Sequence, residues 1–377
     1  MKWDAAIIGA GPSGSYLGWK LAGTGLRVII FEKSTFPRYK PCGGGLTKKA
    51  VNLLPQGWEN ITEDAVKNIL VTYRGEETVH LNFPTPLIYT TMRDKLDTWL
   101  ANLAKEAGAV VAEQTPVLDI KYAQGKFHIT TPSRCHRADF LVGADGPASI
   151  VHKKLPFHFK INFAKAFEAE VSVDQSFLQK QRSRIWIEYG TIKRGYSWIF
   201  PKKGHLSMGS GTFEKKGTNP KGVTQSFIKS TLTGPHKIKK SMGHPIPYLT
   251  ERKNELHWKR SLLVGDAAGL ADPFSGEGLY HALKSAELAA ETITEGANSG
   301  GSLDKYSEKI TETIEKELNM AVKISKLVYN FPHLVHKTVK RYPEIAEMLF
   351  KAAGGELSYS NLLEAVKEIP LLRIGLG

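Results

Sequence analysis

The chain has 377 residues, of which 41% are hydrophobic and 10% aromatic, and its formal net charge is +14. This composition excludes an intrinsically disordered protein, and no apolar run approaches the ~20 residues needed to span a bilayer. Two cysteines exclude a disulfide framework, and the first predicted strand begins almost at Met1, so we expect a cytoplasmic protein without a signal peptide.

The first elements predict a β-α-β unit with a glycine-rich turn. The apolar run 5–8 predicts a strand, Gly9-Ala-Gly-Pro-Ser-Gly14 a turn, and residues 16–22 a helix. The glycine pattern by itself is also compatible with a tight turn that binds nothing. Between a strand and a helix, however, Gly9, Gly11 and Gly14 let the backbone approach a pyrophosphate, and Glu32 ends the next apolar run, where it would accept hydrogen bonds from a ribose. Together these features favour dinucleotide binding.

A proline- and glycine-rich loop, residues 33–46, follows and contains Cys42. Apolar periodicity then predicts a helix over 94–107 with Arg93 at its N-terminal end. Short strands are predicted over 110–112, 117–120, 126–130 and 140–144. The last of them ends in Asp145-Gly146.

From about residue 161 the pattern changes to successive alternating strands, over 163–173, 183–189, 196–200 and 205–211, which predict an inserted antiparallel sheet. Period-2 alternation puts Tyr196, Trp198 and Phe200 on one face. Two interpretations are open: a flat apolar wall for a ligand, or aromatic core packing.

The positive charge is concentrated in this middle region, where residues 151–262 hold 22 Lys and Arg against 7 Asp and Glu. Such a block suits an anionic membrane surface or a phosphorylated substrate, or it is simply a solvated face. Nucleic acid is not expected as a partner, because the block has no recognition helix, RNP pattern or zinc-ligand spacing. No metal site is expected elsewhere either.

After residue 262 the nucleotide-binding pattern resumes. Gly265-Asp266 follows the apolar run 261–264, so this acid would lie at a strand end facing a polyol. Gly276 and Gly278 precede a predicted helix over 279–292 and offer a second set of backbone N–H groups. A second binding segment suits a tightly bound FAD better than a dinucleotide that dissociates after each turnover. The alternative is that residues 265–278 are only a glycine-rich linker.

Residues 296–302 predict a flexible break, and residues 303–377 predict helices. Within this tail, lysines alternate with apolar residues between 323 and 341. The stretch is amphipathic and basic, which is typical both of a helix lying on a membrane surface and of ordinary packing against a sheet.

By these residues the chain resembles the flavoprotein superfamily of aromatic hydroxylases, and within it the geranylgeranyl reductase family. The resemblance covers roughly residues 1–300. Four segments carry it: Gly9–Gly14 with Glu32, Lys40-Pro-Cys-Gly-Gly-Gly45, Gly195-Tyr-Ser-Trp-Ile-Phe-Pro201, and Gly265–Gly278. The first and last are superfamily-wide, whereas the middle two are specific to the family.

The resemblance implies a set of FAD contacts and a reaction. The implied contacts are Ser13, Glu32, Lys33, Cys42, Gly43, Gly44, Arg93, Val117, Asp266, Gly278 and Leu279, and Asp145 belongs to a segment that touches the pyrophosphate or caps a strand. The implied reaction hydrogenates C=C bonds of a prenylated lipid, diphosphate or quinone tail, with NAD(P)H or a reduced ferredoxin as electron donor. Cys42 either relays the proton or is a small residue chosen for space.

The expected fold is α/β: a Rossmann-like FAD-binding domain, similar to that of the aromatic hydroxylases, with an inserted antiparallel substrate sheet and a helical C-terminal region. The expected FAD-binding domain comprises residues 1–58, 90–152 and 256–300, the substrate domain 59–89 and 153–255, and the helical region 301–377. The alternative functions are a flavin monooxygenase or halogenase of the same superfamily, and a flavin-bearing membrane-surface protein without turnover.

Overall fold

The computed structural model describes residues 2–249, 255–299 and 302–367. In these ranges the strands are β1 Lys2–Ile8, β2 Val28–Phe31, β3 Gly45–Thr47, β4 Thr62–Val66, β5 Asn68–Tyr73, β6 Glu76–Asn82, β7 Ile88–Thr91, β8 Val110–Ala112, β9 Asp119–Ala123, β10 Lys126–Thr130, β11 Cys135–Gly143, β12 Asn162–Val173, β13 Arg184–Tyr189, β14 Gly195–Pro201, β15 Leu206–Thr212, β16 His236–Tyr248, β17 His257–Trp258 and β18 Ser261–Leu263.

The helices are α1 Pro12–Ala22, α2 Lys48–Val51, α3 Arg93–Glu106, α4 Ile150–Lys154, α5 Gln175–Gln181, α6 Pro220–Thr231, α7 Leu279–Ser299, α8 Asp304–Ile310, α9 Lys316–Asn330, α10 Pro332–Arg341, α11 Pro343–Gly354 and α12 Tyr359–Lys367.

An eight-stranded sheet positions the glycine turn. Its main path is β17-β18-β11-β1-β2-β8, extended by the β9–β10 hairpin, which pairs with β11. Strands β18, β11, β1, β2 and β8 run parallel, and the four residues of β2 are all buried, as expected of a sheet covered on both faces. The carboxyl ends of β1, β2, β11 and β18 therefore meet at one edge, where ligands of such sheets bind.

A seven-stranded sheet forms the second layer, in the order β16-β12-β15-β14-β13-β5-β6. Its neighbours are antiparallel except β5 and β13, which run parallel. One face packs on α6 through an apolar cluster that includes Val171, Ile199 and Phe227. A small sheet, β3-β7-β4, comes from the segment between β2 and β8, which also contributes β5 and β6 to the seven-stranded sheet.

The helices after residue 302 pack partly against β6, through α10 and α11, and partly against one another, through α9 and α12. A cluster containing Ala321, Ile324 and Leu362 is buried between them, with Phe274 packed against it. In the ranges that the structure describes, every helix is too short or too polar to cross a bilayer.

The fold class expected from the sequence is confirmed, and the differences are local. The predicted strands recur within a few residues, but the predicted break at 296–302 is wrong for 296–299, which are the end of α7, while residues 300 and 301 lie outside the described ranges. Gly296 does not end the helix because a single glycine costs only ~1 kcal/mol. Two helices inside the inserted region, α5 and α6, were not predicted, and the parallel β5–β13 pair was not either. Residues 368–377 of the predicted helical tail also lie outside the described ranges.

Candidate active site

The three glycines of the first turn are required for two different reasons. A β-carbon on Gly14 would lie 1.9 Å from the carbonyl oxygen of Gly9, and Gly9 itself has φ of +97° with Ala144 O only 2.5 Å from its would-be β-carbon. These two positions must be glycine for the turn to pack. At Gly11, by contrast, a β-carbon would meet nothing within 4 Å, and the residue faces open space in a cavity. Gly11 therefore leaves room for a ligand at the N-terminus of α1.

Glu32, at the end of β2, belongs to a buried chain of charges. Its Oε2 accepts the Ala10 amide hydrogen at 3.1 Å, and its Oε1 accepts that of Ser34 at 3.0 Å. Arg38 lies between two acids, with Nη2 3.4 Å from Glu32 Oε2 and Nη1 3.1 Å from Asp97 Oδ2. The carboxylate is thus held at the edge of the sheet where a ribose would be expected.

Asp97 also fixes Arg93, the first residue of α3. Arg93 donates from Nε and Nη2 to the two Asp97 oxygens at 2.8 and 2.9 Å, an i,i+4 bidentate pair. Burial opposes the charge, but the paired carboxylate prevails and raises the pKa of Arg93. A permanently charged guanidinium therefore lines the cavity.

Three further titratable groups lie close to Arg93. Lys40 Nζ is 3.5 Å from Asp266 Oδ2, and burial together with Arg93 lowers the pKa of Lys40. Burial and Lys40 also lower the pKa of His244, to about 4, and its buried Nε2 has no hydrogen-bond partner. This part of the cavity therefore combines paired charges with an unpartnered imidazole nitrogen, which can hydrogen-bond a polar ligand.

These residues line one end of a cavity of about 350 Å³ that extends between the two large sheets and the C-terminal helices. The polar end is formed by α1, the Cys42 loop and the segment before α7. The other end is apolar and is lined by Val71, Ile185, Ile187, Val335, Val339, Ala346, Leu349 and Phe350. A ligand that fills it needs a polar head and a long apolar part.

The Cys42 loop lies at the junction of the two ends. Cys42 Sγ accepts the Gly44 amide hydrogen at 3.4 Å. Lys202, which is fully buried, donates from Nζ to the carbonyl oxygens of Gly43 at 2.7 Å and Thr91 at 2.8 Å. A β-carbon on Gly43 would lie 2.9 Å from the Phe200 ring, so the loop approaches the sheet as closely as a backbone can.

The alternation predicted for β14 is confirmed. Tyr196, Trp198 and Phe200 all line the cavity, whereas Ser197 on the other face bonds to Ser210. The Tyr196 hydroxyl donates to the carbonyl oxygen of Ser275, and Trp198 Nε1 is buried without a partner. The three rings line the cavity, and Tyr196 and Phe200 also pack against an apolar core cluster that includes Val71 and Ile185, so the two interpretations are compatible.

The segment before α7 forms the opposite wall of the polar end. Gly265 and Gly276 have φ of +56° and +71°, a backbone region that favours glycine, and Gly265 N donates to Ser285 Oγ at 3.0 Å. Gly278 precedes Leu279, the first residue of the 21-residue helix α7. Gly278 and Leu279 line the cavity together with Asp266, while the Tyr280 amide in the first turn donates to Glu277 Oε1.

The predicted site residues fall into two groups. The cavity is lined by Gly11, Ser13, Cys42, Gly43, Gly44, Arg93, Tyr196, Trp198, Phe200, Asp266, Gly276, Gly278 and Leu279. The remaining ones do not line it: Gly9, Gly14, Glu32, Lys33, Val117, Asp145 and Gly265. Gly9, Gly14 and Gly265 shape the turns behind the wall.

Three of the residues outside the cavity have other surroundings. Lys33 is exposed, and Val117 packs on the core of the eight-stranded sheet. Asp145 Oδ2 accepts the Ile150 amide hydrogen at 2.6 Å at the start of α4, and burial raises the pKa of Asp145. Asp145 therefore caps the start of α4 with one oxygen, and its other oxygen, Oδ1, is buried without a partner.

The sequence interpretation missed six residues of the site. They are Arg38, Lys40, Asp97, Glu168, Lys202 and His244. The i,i+4 spacing of Arg93 and Asp97 on a predicted helix was a usable signal for one of them. A second usable signal was the placement of Glu168 and Glu170 at alternate positions of a long predicted strand, which puts both acids on one face of the sheet.

The family model described as "FAD binding domain" matches residues 2–321 of the chain. An uncharacterised protein of Methanosarcina barkeri is 30% identical over 375 residues, which cover 98% of this chain and 96% of that protein. The chloroplastic geranylgeranyl diphosphate reductase of Arabidopsis thaliana is 28% identical over 358 residues, covering 87% of this chain and 74% of that protein.

Among solved structures, a geranylgeranyl bacteriochlorophyll reductase-like protein of Thermoplasma acidophilum superposes with a TM-score of 0.80. It is 22% identical, and the match covers 97% of this chain and 96% of that one. At this identity the likeness shows a shared fold across nearly the whole length of both proteins.

Proposed function

This chain belongs to the FAD-binding domain family, and from that premise we propose that it is an FAD-dependent oxidoreductase that hydrogenates C=C bonds of a prenyl chain. The prenyl chain is carried by a lipid, a diphosphate or a quinone. NAD(P)H or a reduced ferredoxin supplies the electrons.

The residues around the polar end fit FAD. Gly11 has open space in front of its Cα, two helix N-termini converge on the cavity, and the buried Nε2 of His244 lacks a partner that a flavin carbonyl would supply. Glu32 would hold the ribose, the start of α1 the pyrophosphate, and Asp266 with Gly278 the ribityl and ring end. When bound and reduced, FAD supplies hydride.

The observation that carries the proposal is the continuity of one cavity from the glycine turn to an apolar chamber between β13, β5 and helices α10 and α11. The wall of Tyr196, Trp198 and Phe200 joins the two parts. A prenyl chain has the shape and polarity of this chamber, and a double bond near Trp198 would face the flavin end.

An isolated alkene is a poor hydride acceptor, so its reduction requires that one carbon be protonated as the other receives hydride. In the proposed mechanism Cys42, or a water that it orders, relays the proton. Cys42→Ser and Cys42→Ala should retain FAD, measured by its absorbance, and lose turnover. Wild-type rates in both variants would leave Cys42 with a spatial role only.

The test of the function is a single turnover without oxygen. Protein loaded with FAD is reduced under anaerobic conditions and mixed with geranylgeranyl diphosphate or a geranylgeranylated lipid. Reoxidation of the flavin, with a product heavier by two hydrogens per step in mass spectrometry, is expected. If the reduced protein reacts only when oxygen is admitted, and consumes it in step with NAD(P)H, the reaction is that of a monooxygenase or halogenase instead.

A further inference from the structure

Two acids of β12 face the cavity side of the seven-stranded sheet. The strand register sets Glu168 opposite Gly209 of β15, and Gly209 opposite Trp198 of β14. Because residues in register on neighbouring strands point to the same face, Glu168 and Trp198 share one row across the sheet. The Trp198 ring lies over Gly209, where a β-carbon would be 2.2 Å from Cζ2. Glu168 thus lines the cavity next to the aromatic wall.

The Glu168 side chain is buried and incompletely satisfied. It is 2% exposed; Oε1 accepts the Ser207 hydroxyl at 3.1 Å, and buried Oε2 receives no hydrogen bond. Lys202, the nearby buried cation, is directed instead to the carbonyl oxygens of Gly43 and Thr91. A carboxyl in such surroundings is more stable protonated than charged.

Several titratable groups surround this carboxyl. They are Glu170 on β12 itself, Lys202 after β14, His205 before β15, Tyr39 from the loop after β2, and Lys240 of β16, whose Nζ lies 5.0 Å from the centre of the Tyr39 ring. Burial and the negative charge of Glu170 raise the pKa of Glu168 to about 8, and Lys202 opposes the shift. Burial and Glu170 thus both favour the neutral form of Glu168.

Glu170 connects Glu168 to the outside of the sheet. Glu170 lies two residues from Glu168 on the same face of β12, and His205 Nε2 lies 2.7 Å from Glu170 Oε2. Although burial opposes it, the hydrogen bond from His205 lowers the pKa of Glu170. The His205 side chain is partly exposed, so the series His205, Glu170, Glu168 runs from solvent to the cavity.

We propose that Glu168 is the proton donor for the substrate double bond and that Glu170 and His205 return a proton to it from solvent. The inference rests on the proposed function. The O–H bond of Glu168 breaks, its electron pair stays on the carboxylate, and a C–H bond forms at one alkene carbon. The other carbon would take the hydride that FAD supplies when it is bound and reduced. Cys42 or an ordered water bridges Glu168 and the substrate where they are not in direct contact.

The first experiment measures the protonation of Glu168 without any turnover. Infrared spectra of the apoprotein should contain a protonated-carboxyl band at pH 7 that disappears with a midpoint near pH 8. Glu168→Gln should remove this band. Glu188→Gln should not, since Glu188 is a buried glutamate on the opposite face of the same sheet, bonded to Thr191. Isotope-labelled glutamate distinguishes this band from that of a protonated aspartate such as Asp145. A labelled band that persists in folded Glu168→Gln, or the absence of such a band from the labelled wild type, would overturn the inference.

The second experiment separates the proton step from flavin reduction. Glu168→Gln should slow anaerobic reoxidation by the prenyl substrate ~100-fold or more, with FAD binding and flavin reduction unchanged. Glu170→Gln and His205→Gln should shift the pH profile of that step, and Glu188→Gln should do neither. If the wild type is active and Glu168→Gln is equally active, Glu168 is not the proton donor, and the proposed function is unaffected. An inactive wild type would refute both.

Discussion

At the scale of single residues, the glycines of the first turn differ in what they make room for. Gly14 makes room for the backbone of Gly9, whereas Gly11 makes room for something outside the chain. Gly14→Ala therefore tests the packing of the turn and Gly11→Ala tests ligand binding, although both residues belong to the same six-residue pattern.

Gly11→Ala should leave the apoprotein as stable as wild type, because its β-carbon meets no protein atom, and should weaken FAD binding at least tenfold by crowding the pyrophosphate. Gly14→Ala should destabilise the apoprotein itself by ~1–3 kcal/mol, since the new β-carbon would overlap a carbonyl oxygen. Thermal melts of the apoproteins and FAD titrations followed by flavin fluorescence check both. Unchanged FAD affinity in Gly11→Ala would contradict the assigned cofactor position.

Lys202 is predicted to hold the Cys42 loop in its position against the sheet. Lys202→Met removes the donor for the carbonyl oxygens of Gly43 and Thr91 and should lower the free energy of unfolding by ~1–3 kcal/mol. In a Cys135→Ser background, which removes the exposed thiol, a thiol reagent should label Cys42 several times faster. Lys203→Met is the matched control because its side chain is exposed. Equal labelling rates in the two variants would show that Lys202 does not hold the loop.

At the scale of helices and strands, the sequence predicted the features that depend only on neighbouring residues. The inward and outward positions of β14 follow from its alternation, and α3 follows from its apolar periodicity. The parallel pairing of β5 with β13 was not predictable, because it joins segments more than 110 residues apart that leave no shared pattern. Lys202 was missed for the same reason, because it looks like an ordinary charged residue until distant segments bring it to the carbonyl oxygens of Gly43 and Thr91.

Helices α9 and α10 present an apolar patch that lies outside the core. Leu327, Phe331 and Leu334 are 49%, 56% and 58% exposed, and exposed lysines at 323, 326, 337 and 340 flank them. On the inner side of α10, Val335 and Val339 line the cavity. The packing interpretation of the amphipathic tail therefore holds for the inner face of α10, and we propose that the outer face binds an anionic membrane surface.

The protein should therefore sediment with vesicles that contain phosphatidylglycerol, and less with pure phosphatidylcholine or at high salt. A double variant, Phe331→Ser with Leu334→Ser, should lose most of this binding, whereas Leu118→Ser, which alters an equally exposed leucine elsewhere, should keep it. Absence of binding to either vesicle would rule out this use of the patch.

At the scale of the whole molecule, the cavity belongs to no single layer. Its polar end comes from the eight-stranded sheet, its aromatic wall from the seven-stranded sheet, and its apolar end from the C-terminal helices. The sequence predicted the first two contributions through glycine and aromatic patterns. It did not predict the third, because helices α10 and α11 carry no motif and contribute only apolar side chains that any core would also use.

Narrowing the apolar end should change which chain lengths are accepted. Ala346 of α11 lines this end and is buried, so Ala346→Phe should lower turnover of a C20 prenyl substrate at least tenfold while a C10 substrate is still reduced. FAD content should be unchanged, since the substitution is remote from the glycine turn. Glu344→Phe adds the same ring to the exposed side of α11 and serves as control. A uniform loss for both chain lengths would mean that Ala346 does not border the substrate.

The position of β18 in the chain has a consequence for biosynthesis. Strand β18 pairs with β11 at the centre of the first sheet, yet some 118 residues separate the end of one from the start of the other. A ribosome releases the glycine turn early and the segment that completes the sheet much later, so the growing polypeptide keeps an open edge on β11 while the whole second sheet is being made. Flavin capture should for this reason wait until β18 has been made, and a message truncated before β18 should yield a product that neither retains the yellow pigment nor escapes proteolysis.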